Sequence, residues 1–535
     1  MTGAESVLAA LKAMGVEAIF ASPGSDWAPL WEALASNRYW SERYVSSRHE
    51  ETAIAMAMGY SKSTGKLPAV VVHTTVGALH TTMIARAALH ERIPMVILAG
   101  EVIGFGEPPS PKVGRQWLRL LTDLGGPARL MEPCVKWSFG LNNPAILPQT
   151  VQRACQLAVS APRGPVFVSV PTEYLLADMS GEAPPSALPA LPAVSDSTLG
   201  KMQEVLSTAK NPVIVTEEAG RDPAAVEALV ALAEALDAPV FESWQPYYLN
   251  FPRRHRLYGG IITENEAFND ADVMLLVESV LPWHPPGSIV DKKVLVLGED
   301  PLHPRLPFWG FRADVVAAGE VTGALRRLAR GVSKKSSSRE IKKPKVPEGP
   351  TAEVARILNE ELPAGAIVVN ETITHRLDLL RSLDRLEPGG FFEASYGGLG
   401  VGIGLALGAK YAHPQHTVAC TIGDGAFHYN PVVASLGAAQ EHGLPILIVL
   451  FNNAGYLSQK MDVSMYYPQG NAAKAGQAIG TRITPVPDYP LLARAYGGYG
   501  ETVREAGEIR AALRRGLDAV KKGRLALIDV VLEKV

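Results

Sequence analysis

The stretch that decides the fold runs from Thr421 to Tyr456 and reads TIGDGAFHYNPVVASLGAAQEHGLPILIVLFNNAGY. An apolar run over residues 417–422 ends at the turn Gly423-Asp424-Gly425, and a segment with helical spacing follows. A second apolar run, 445–451, ends at Asn452-Asn453. This order predicts strand, turn, helix and strand. Open parallel sheets bind ligands at the carboxyl ends of such strands, so the polar residues there indicate a binding site.

The polar groups at these two strand ends are those that a hard cation prefers. Asp424 offers a carboxylate, Asn453 an amide oxygen and Gly455 a backbone carbonyl, which together suit six-coordinate Mg²⁺. Gly425 leaves the amides after Asp424 open to a phosphate, and the following helix adds the positive end of its dipole. The stretch therefore predicts Mg²⁺ held beside a diphosphate. An ordinary strand–helix–strand unit with a glycine-rich turn is the alternative.

The bulk composition is that of a globular protein with a large core. The chain has 535 residues, of which 47% are hydrophobic and 20% charged, and its net charge is −3. We therefore expect several domains, with no nucleic-acid partner and no membrane partner. Three widely spaced cysteines form no CxxC pair, so neither disulfides nor a zinc site are expected. The first residues lack the basic segment and the long apolar segment of a secretory signal. We therefore expect a cytoplasmic protein.

Strands and helices alternate along the whole chain, which predicts an α/β fold with doubly wound parallel sheets. Two linker-like stretches, 185–196 and 331–350, divide the chain. The second is rich in Lys, Ser and Pro, but it lacks the aromatic residues of a nucleic-acid patch and is interpreted as a solvated linker. We predict an N-terminal domain over 1–184, a central domain over 197–330 and a C-terminal domain over 351–535.

The spacing of GDG and NN resembles the signature of the thiamine diphosphate (ThDP) enzymes, the superfamily of acetolactate synthase and pyruvate decarboxylase. The resemblance implies that the three domains are pyrimidine-binding, central and diphosphate-binding. RHEETAIAMAMGYS, from Arg48 to Ser61, resembles the segment that carries the activating glutamate of the family, which implies this role for Glu50. In the family this acid bonds to the pyrimidine ring and favours the imino form of the cofactor. A carboxylate that stabilises a helix start is the alternative.

A glycine-rich segment, GGLGVGIGLALGAK over 397–410, carries a second part of the resemblance. It does not fit a dinucleotide fingerprint, because Leu405 stands where a third glycine is required. It resembles the ThDP segment in which a bulky apolar residue wedges the cofactor into its bent shape. The resemblance implies this role for Leu399 and a pyrimidine contact through the carbonyl of Gly397. Plain core packing is the alternative for Leu399.

The segment NETITH, residues 370–375, resembles the diphosphate-binding turn of the family. With the segments above, it implies cofactor contacts at Thr374, His375, Gly397, Leu399, Gly423, Gly425, Ala426 and Tyr456. The implied Mg²⁺ ligands are Asp424, Asn453 and Gly455. FAD is not expected, because the central domain shows no feature that points to it.

Four positions resemble the active site of the benzoylformate decarboxylases, a branch of this family. SPGSD resembles a turn with a substrate-contacting serine, here Ser25, and VVHTTVG resembles a strand end with a histidine, here His73. VLPWHPPG resembles a loop with a second histidine, here His284. Together with Glu50 these residues form the implied catalytic set, since histidines that titrate near neutral pH can move protons during decarboxylation. A helix cap and two structural histidines are the simpler alternatives.

The resemblance implies non-oxidative decarboxylation of a 2-oxo acid, with aldehyde carboligation as a further outcome. An acetolactate-synthase-like carboligase is one alternative, although that enzyme's acceptor-site pattern is not evident at 104–118. A non-catalytic ThDP-binding homologue is another. Asp424 and Asn453 are 29 positions apart, about two more than the family pattern. The segment 457–485 does not match the benzoylformate decarboxylases, which leaves the substrate side chain open.

In this family the glutamate of one subunit faces the diphosphate site of another subunit. The resemblance therefore implies a homo-oligomer, with a dimer of dimers as the expected form. The expected small-molecule partner is a 2-oxo acid.

Overall fold

The structure is a computed structural model that describes residues 1–101, 123–179, 181, 184–262, 269–283, 291–306, 311–334, 341, 345, 347–394 and 397–532. Its described strands form three sheets of six strands each, and every pairing is parallel. The predicted α/β fold with three doubly wound parallel sheets is thus confirmed. Within the described ranges, no helix is both long and apolar enough to cross a bilayer.

The first sheet is built from residues of the N-terminal third of the chain. Its strands are β1 (Ile19–Ser22), β2 (Tyr44–Ser46), β3 (Ala69–Val72), β4 (Met95–Glu101), β5 (Trp137–Gly140) and β6 (Pro165–Pro171). The helices around it are α1 (Gly3–Ala13), α2 (Ala28–Ala35), α3 (Arg38–Ser41), α4 (Glu50–Thr64), α5 (Thr74–His90), α6 (Pro127–Met131), α7 (Leu147–Val159) and α8 (Thr172–Leu176). The strand order is β2-β1-β3-β4-β6-β5.

The central sheet has a different order from the first. Its strands are β7 (Pro212–Thr216), β8 (Val240–Glu242), β9 (Tyr258–Ile261), β10 (Val273–Val277), β11 (Lys293–Gly298) and β12 (Val315–Ala318). The helices are α9 (Asp196–Thr208), α10 (Pro223–Leu236) and α11 (Val321–Gly331). The order β12-β11-β10-β7-β8-β9 reverses direction between β10 and β7, which is the place where such sheets open a crevice for ligands.

The third sheet repeats the order of the first, strand for strand. Its strands are β13 (Ile367–Glu371), β14 (Phe391–Glu393), β15 (Val418–Gly423), β16 (Leu447–Asn452), β17 (Tyr499–Val503) and β18 (Ala526–Val531). The helices are α12 (Pro350–Glu361), α13 (Arg376–Ser382), α14 (Gly402–Ala412), α15 (Asp424–Tyr429), α16 (Val432–Glu441), α17 (Leu457–Tyr466), α18 (Asn471–Ala475), α19 (Tyr489–Ala495) and α20 (Ile509–Lys521). The order β14-β13-β15-β16-β18-β17 matches that of the first sheet at every position.

Helix α4 of the first domain packs directly on α14 of the third. A Cβ atom at Gly59 would lie 2.0 Å from the carbonyl oxygen of Leu405, and one at Gly408 would lie 1.9 Å from that of Met56. Only glycine permits the backbones to approach this closely. The two helices therefore hold the first and third domains together, and most of α4 is buried.

Buried charged side chains connect all three domains at one place, the three-domain junction, through ion pairs to the central domain and a hydrogen bond to the third domain. Lys62 Nζ donates to Glu91 Oε2 at 2.5 Å and to the carbonyl of Glu393 at 3.0 Å. Arg92 donates to Glu278 at 2.5 Å and also to Glu218. Removing one partner of a fully buried pair leaves an uncompensated charge, which costs far more than losing an exposed pair. The junction residues are Lys62, Glu91, Arg92, Glu218 and Glu278.

We predict that Glu91→Ala lowers the free energy of unfolding by about 3 to 5 kcal/mol, because the Lys62 ammonium stays buried without its partner. Both side chains are fully buried, so solvent does not screen the loss. The urea midpoint of unfolding measures the change. The matched control is Arg38→Ala, which breaks an exposed pair with Glu42 and should cost under about 1 kcal/mol. Equal midpoint shifts for the two variants would contradict the prediction.

Candidate active site

Asp424 and Asn453 lie at the carboxyl ends of neighbouring strands of the third sheet. β15 ends at Gly423 and β16 at Asn452, and the two strands pair side by side. The amide of Gly455 donates to Asp424 Oδ2 and to Asn453 Oδ1, at 3.1 Å each. Both predicted ligand oxygens therefore converge on one amide, within reach of a single small cation.

The turn after β16 decides which of two adjacent asparagines is available to a metal. Asn452 Nδ2 donates to Asp529 Oδ1 at 2.9 Å, and its own Oδ1 accepts the amide of Ala454 at 3.2 Å. Ala454 adopts a left-handed backbone with φ 57°, which is uncommon for a residue with a side chain. Because Asn452 is engaged by Asp529, Asn453 is the one left beside Asp424.

The electrostatics of Asp424 fit a cation ligand. Burial, with a smaller contribution from the nearby Asp529, raises the pKa of Asp424 to about 6 against the opposing effect of backbone amides. Among the described groups that act most strongly on Asp424 there is no positive charge. A buried carboxylate beside a second one is stabilised by a divalent cation, so this donor set fits Mg²⁺.

The turn that begins α15 is built from small residues. A Cβ atom at Gly425 would lie 2.8 Å from the Tyr456 ring, whereas one at Gly423 would meet nothing within 4 Å. Ala426 is buried in the first turn of the helix. The amide of Tyr456 donates to the carbonyl of Thr481 at 2.8 Å, which anchors the far side of the turn. The small residues thus keep the helix start open.

His375 supplies an unpartnered polar atom beside this turn. Its ring stacks on Phe451, and its Nδ1 lies 3.1 Å from Thr351 Oγ1. Its Nε2 is buried and makes no hydrogen bond within the described structure. Burial lowers the pKa of His375, so the ring is neutral at pH 7. A buried polar atom of this kind needs a partner, and a phosphate oxygen would provide one. The adjacent Thr374 is half-buried.

Glu371, at the end of β13, was missed by the sequence analysis although it lies inside the quoted segment NETITH. Its carboxylate accepts the amides of Gly400, Val401 and Gly402 at 2.8 to 3.1 Å. It also accepts from Asn430 Nδ2 at 2.8 Å. Glu371 thereby binds the start of α14 and holds the loop that precedes it. The signal in the sequence was an acid at a strand end, followed by a glycine-rich helix start.

The loop held by Glu371 carries two predicted cofactor contacts. Gly397 has φ 72°, and a Cβ atom there would meet nothing within 4 Å. Leu399 is partly buried and packs against the core shared by the first and third domains. The structure is therefore compatible with both roles of Leu399, that of a core residue and that of a support for a ligand. A Cβ atom at Gly398 would lie 2.7 Å from Met83 Sδ, so the loop contacts α5.

Glu50 is the first residue of α4 and lies against the start of α5. Its side chain is half-buried in this chain. A Cβ atom at Gly77 would lie 3.2 Å from Glu50 Oε1, so glycine makes room for the carboxylate. The negative charge of Glu50 helps to raise the pKa of His73, which places the two predicted catalytic residues near each other.

His73 lies between β3, which ends at Val72, and α5, which begins at Thr74. Its Nδ1 is 2.6 Å from Asp26 Oδ1, and the Asp26 side chain is fully buried. The hydrogen bond to Asp26 raises the pKa of His73, and burial opposes the rise. The sequence analysis did not assign a role to Asp26, although it lies within the quoted SPGSD. The available signal was an acid directly after Ser25, the serine to which the resemblance assigns a substrate contact.

Of the two remaining predicted catalytic residues, the structure describes Ser25 but not His284. Ser25 is exposed at the start of a short 3₁₀ turn, Ser25–Trp27, one residue before Asp26. His284 lies outside the described residues. The segment 104–118, in which the acceptor-site pattern of acetolactate synthase is not evident, also lies outside them.

The predicted site residues form two groups in one chain. Glu50, His73 and Ser25 lie at the strand ends of the first sheet, where Asp26 joins them, and the Asp424 turn with His375 lies at those of the third. Among the described residues, no hydrogen bond or ion pair connects the carboxylates of Glu50 and Asp424. One group offers acid–base residues and the other offers metal and phosphate ligands.

Three family models of thiamine pyrophosphate enzymes match the chain in order. They are the N-terminal TPP binding domain at residues 1–111, the central domain at 199–301 and the C-terminal TPP binding domain at 374–530. The chain therefore belongs to the thiamine diphosphate enzyme family.

Relatives with two different activities match nearly the whole chain. The acetolactate synthase isozyme 2 large subunit of Escherichia coli is 26% identical and covers 96% of this chain and 93% of its own. The benzoylformate decarboxylase of Pseudomonas aeruginosa is 25% identical and covers 98% of both. The solved structure of a ThDP-dependent 4-hydroxybenzoylformate decarboxylase from Rhodococcus jostii has a TM-score of 0.85 at 26% identity, with both chains fully covered.

We predict that Asp424→Ala and Asn453→Ala each weaken Mg²⁺-dependent ThDP binding at least about tenfold, because each removes an oxygen from the predicted metal site. Titration calorimetry of the purified protein, with Mg²⁺ and with EDTA, measures the affinity. The matched control is Asp518→Ala, which removes an exposed carboxylate on α20 and should leave the affinity unchanged. Wild-type affinity that is the same in EDTA would show that the metal site is misassigned.

Proposed function

We propose that this chain is a ThDP- and Mg²⁺-dependent enzyme that decarboxylates a 2-oxo acid without oxidation, in the manner of a benzoylformate decarboxylase. The observation that carries the proposal is the acid-bound histidine, His73, whose Nδ1 lies 2.6 Å from Asp26 and whose pKa is raised by Asp26 and Glu50. A proton-transferring imidazole beside the cofactor-activating acid suits the protonation that must follow loss of CO₂. The full-length likeness to a benzoylformate decarboxylase supports the same reaction.

Each residue of the site then has a separate task. When bound, ThDP supplies a nucleophilic carbon and accepts the electron pair that remains when CO₂ leaves. Glu50 would hold a proton on its carboxyl toward the pyrimidine ring. His73 would hold and return a proton at Nε2, since Nδ1 is occupied by Asp26. Ser25, exposed on its turn, would orient the substrate carboxylate.

An acetolactate-synthase-like carboligase is the second candidate function. The Escherichia coli relative named above favours it, since it matches this chain over the same length at similar identity. Product analysis with pyruvate separates the two reactions. Acetaldehyde as the product supports the decarboxylase, whereas acetolactate without acetaldehyde supports the carboligase.

We predict that Glu50→Gln lowers CO₂ release by at least about 100-fold, because the amide cannot cycle a proton with the cofactor. The measurement is CO₂ release from 2-oxo acids between pyruvate and benzoylformate, with saturating ThDP and Mg²⁺. The matched control is the adjacent Glu51→Gln, which should keep wild-type rates.

Wild-type rates for Glu50→Gln would remove Glu50 from its proposed role. No release by wild-type protein from any of these acids, with ThDP bound, would favour the third alternative, a non-catalytic ThDP-binding homologue.

We infer that the central domain takes no FAD. Its strand-end crevice has a volume of about 370 Å³, but carboxylates line the ends of its strands. Glu218, Glu278 and Glu299 lie there, and Asp222 caps the start of α10 with its own side chain. Carboxylates at a helix start occupy the place that a diphosphate would take, and they repel it. Their positive partners are Arg92 and Arg163 of the first domain and Arg221 of the central domain.

We propose that the active site is completed by a second copy of the chain, within a homodimer or a dimer of dimers. Apolar side chains are exposed beside both groups of site residues. Val76 and Leu79 lie on α5 close to Glu50, and Tyr429 and Val433 follow the Asp424 turn. Water-exposed apolar residues around an incomplete site are typical of an interface between subunits. The first-domain group of one copy would then face the third-domain group of its partner.

We predict that Glu50→Gln and Asp424→Ala chains restore each other when co-expressed. If the site is shared, each mixed dimer has one intact site out of two, so isolated mixed dimers should recover about half of wild-type CO₂ release. Each variant alone should be nearly inactive. The measurement uses two affinity tags to isolate mixed dimers. Activity no higher than the sum of the separate variants would place the whole site within one chain.

A further inference from the structure

The His73 side chain is held by one buried carboxylate through two connections. Asp26 Oδ1 lies 2.6 Å from His73 Nδ1, and Asp26 Oδ2 accepts the amide of Thr74 at 3.2 Å. The first connection binds the imidazole ring, and the second binds the first residue of the helix that follows it. The ring and its backbone are therefore positioned by the same group.

The surrounding backbone leaves just enough room for this pair. A Cβ atom at Gly24 would lie 2.2 Å from His73 Nδ1, and one at Gly100 would lie 1.9 Å from Asp26 Oδ2. Thr172 Oγ1 donates to the carbonyl of Asp26 at 3.1 Å, which fixes the turn that carries the carboxylate. Elements from four parts of the first domain thus converge on this pair.

We propose that Asp26 is a positioning residue that fixes the tautomer and the charge of His73, so that proton transfer to the bound substrate runs through Nε2. The proposal rests on the proposed function, because it assigns a partner to the histidine that the reaction uses. With Nδ1–H donated to Asp26, the neutral ring presents Nε2 as its acceptor. With Nε2 also protonated, the carboxylate stabilises the resulting cation.

The charges that act on His73 come from two elements. Asp26 approaches from the 3₁₀ turn Ser25–Trp27, and Glu50 approaches from the start of α4. Asp26 has the larger effect, because it forms the hydrogen bond. A purely structural role is the competing account, in which Asp26 only binds the start of α5.

The first test is the pH dependence of CO₂ release by Asp26→Asn. Since Asp26 raises the pKa of His73, its replacement should move the His73 limb of the kcat/KM profile to lower pH. The His73→Gln variant should lack this limb of the kcat/KM profile, which identifies the limb as the one due to His73. We also expect kcat/KM to fall by about tenfold, a part of the 10²- to 10⁴-fold that a positioned acid–base group contributes.

The second test does not depend on the reaction. Diethyl pyrocarbonate modifies neutral imidazole, and peptide mass spectrometry reads the modification at His73 alone. At pH 6.5 the protein with Asp26→Asn should be modified at His73 several-fold faster than wild type. The matched control is Asp237→Asn, which neutralises a buried aspartate paired with Arg256 in the central domain and should leave the rate at His73 unchanged.

The outcomes separate the two hypotheses. An unchanged rate of modification at His73 in Asp26→Asn overturns the role of Asp26, whatever the activity. Faster modification with an unchanged kcat/KM profile supports the effect on His73 but removes His73 from the proposed reaction. A further loss of kcat/KM when Asp26→Asn is added to His73→Gln would show that Asp26 acts structurally, since a residue acting only through His73 has no effect without it.

Discussion

The close packing of α4 on α14 is the constraint that places two segments of the candidate site, the start of α4 with Glu50 and the loop with Leu399. Gly59 and Gly408 bring the two backbones into contact, and larger side chains at these positions would overlap with carbonyl oxygens. Glu50 starts one of these helices, and the loop with Leu399 leads into the other. Because both site segments are helix starts, the glycine contact also sets where their carboxylates and amides lie.

Buried carboxylates then fix the local geometry. Glu371 binds three successive amides at the start of α14, and Asp26 binds both the His73 ring and the amide of Thr74. Asp424 differs, because the described groups that act on it most strongly include no cation. All three carboxylates accept backbone amides of the chain, and the absence of a cation among the described groups that act most strongly on Asp424 is consistent with the predicted metal site.

Several features could be predicted from the sequence because they depend on neighbours along the chain. The apolar runs before Gly423 and Asn452 predicted adjacent parallel strands, and β15 and β16 pair side by side. The roles of Asp26 and Glu371 were not predicted, although both lie in segments that were quoted. Their partners are 47 and about 30 residues away, so the contacts follow from the order of the strands rather than from local pattern. The assignment of Asn453 rather than Asn452 to the metal site remains a prediction, and the contact of Asn452 with Asp529 is consistent with it.

The sequence by itself determined the fold class and the family, because apolar periodicity and glycine spacing are local properties that the strands and turns must satisfy. It also located the chemically capable residues Glu50, His73 and Asp424. Only the tertiary structure decided how these residues are supported and grouped. Asp26 beside His73 and Glu371 beneath the Leu399 loop both result from long-range packing. Such contacts are set by sheet order and helix contact, which no short stretch of sequence contains.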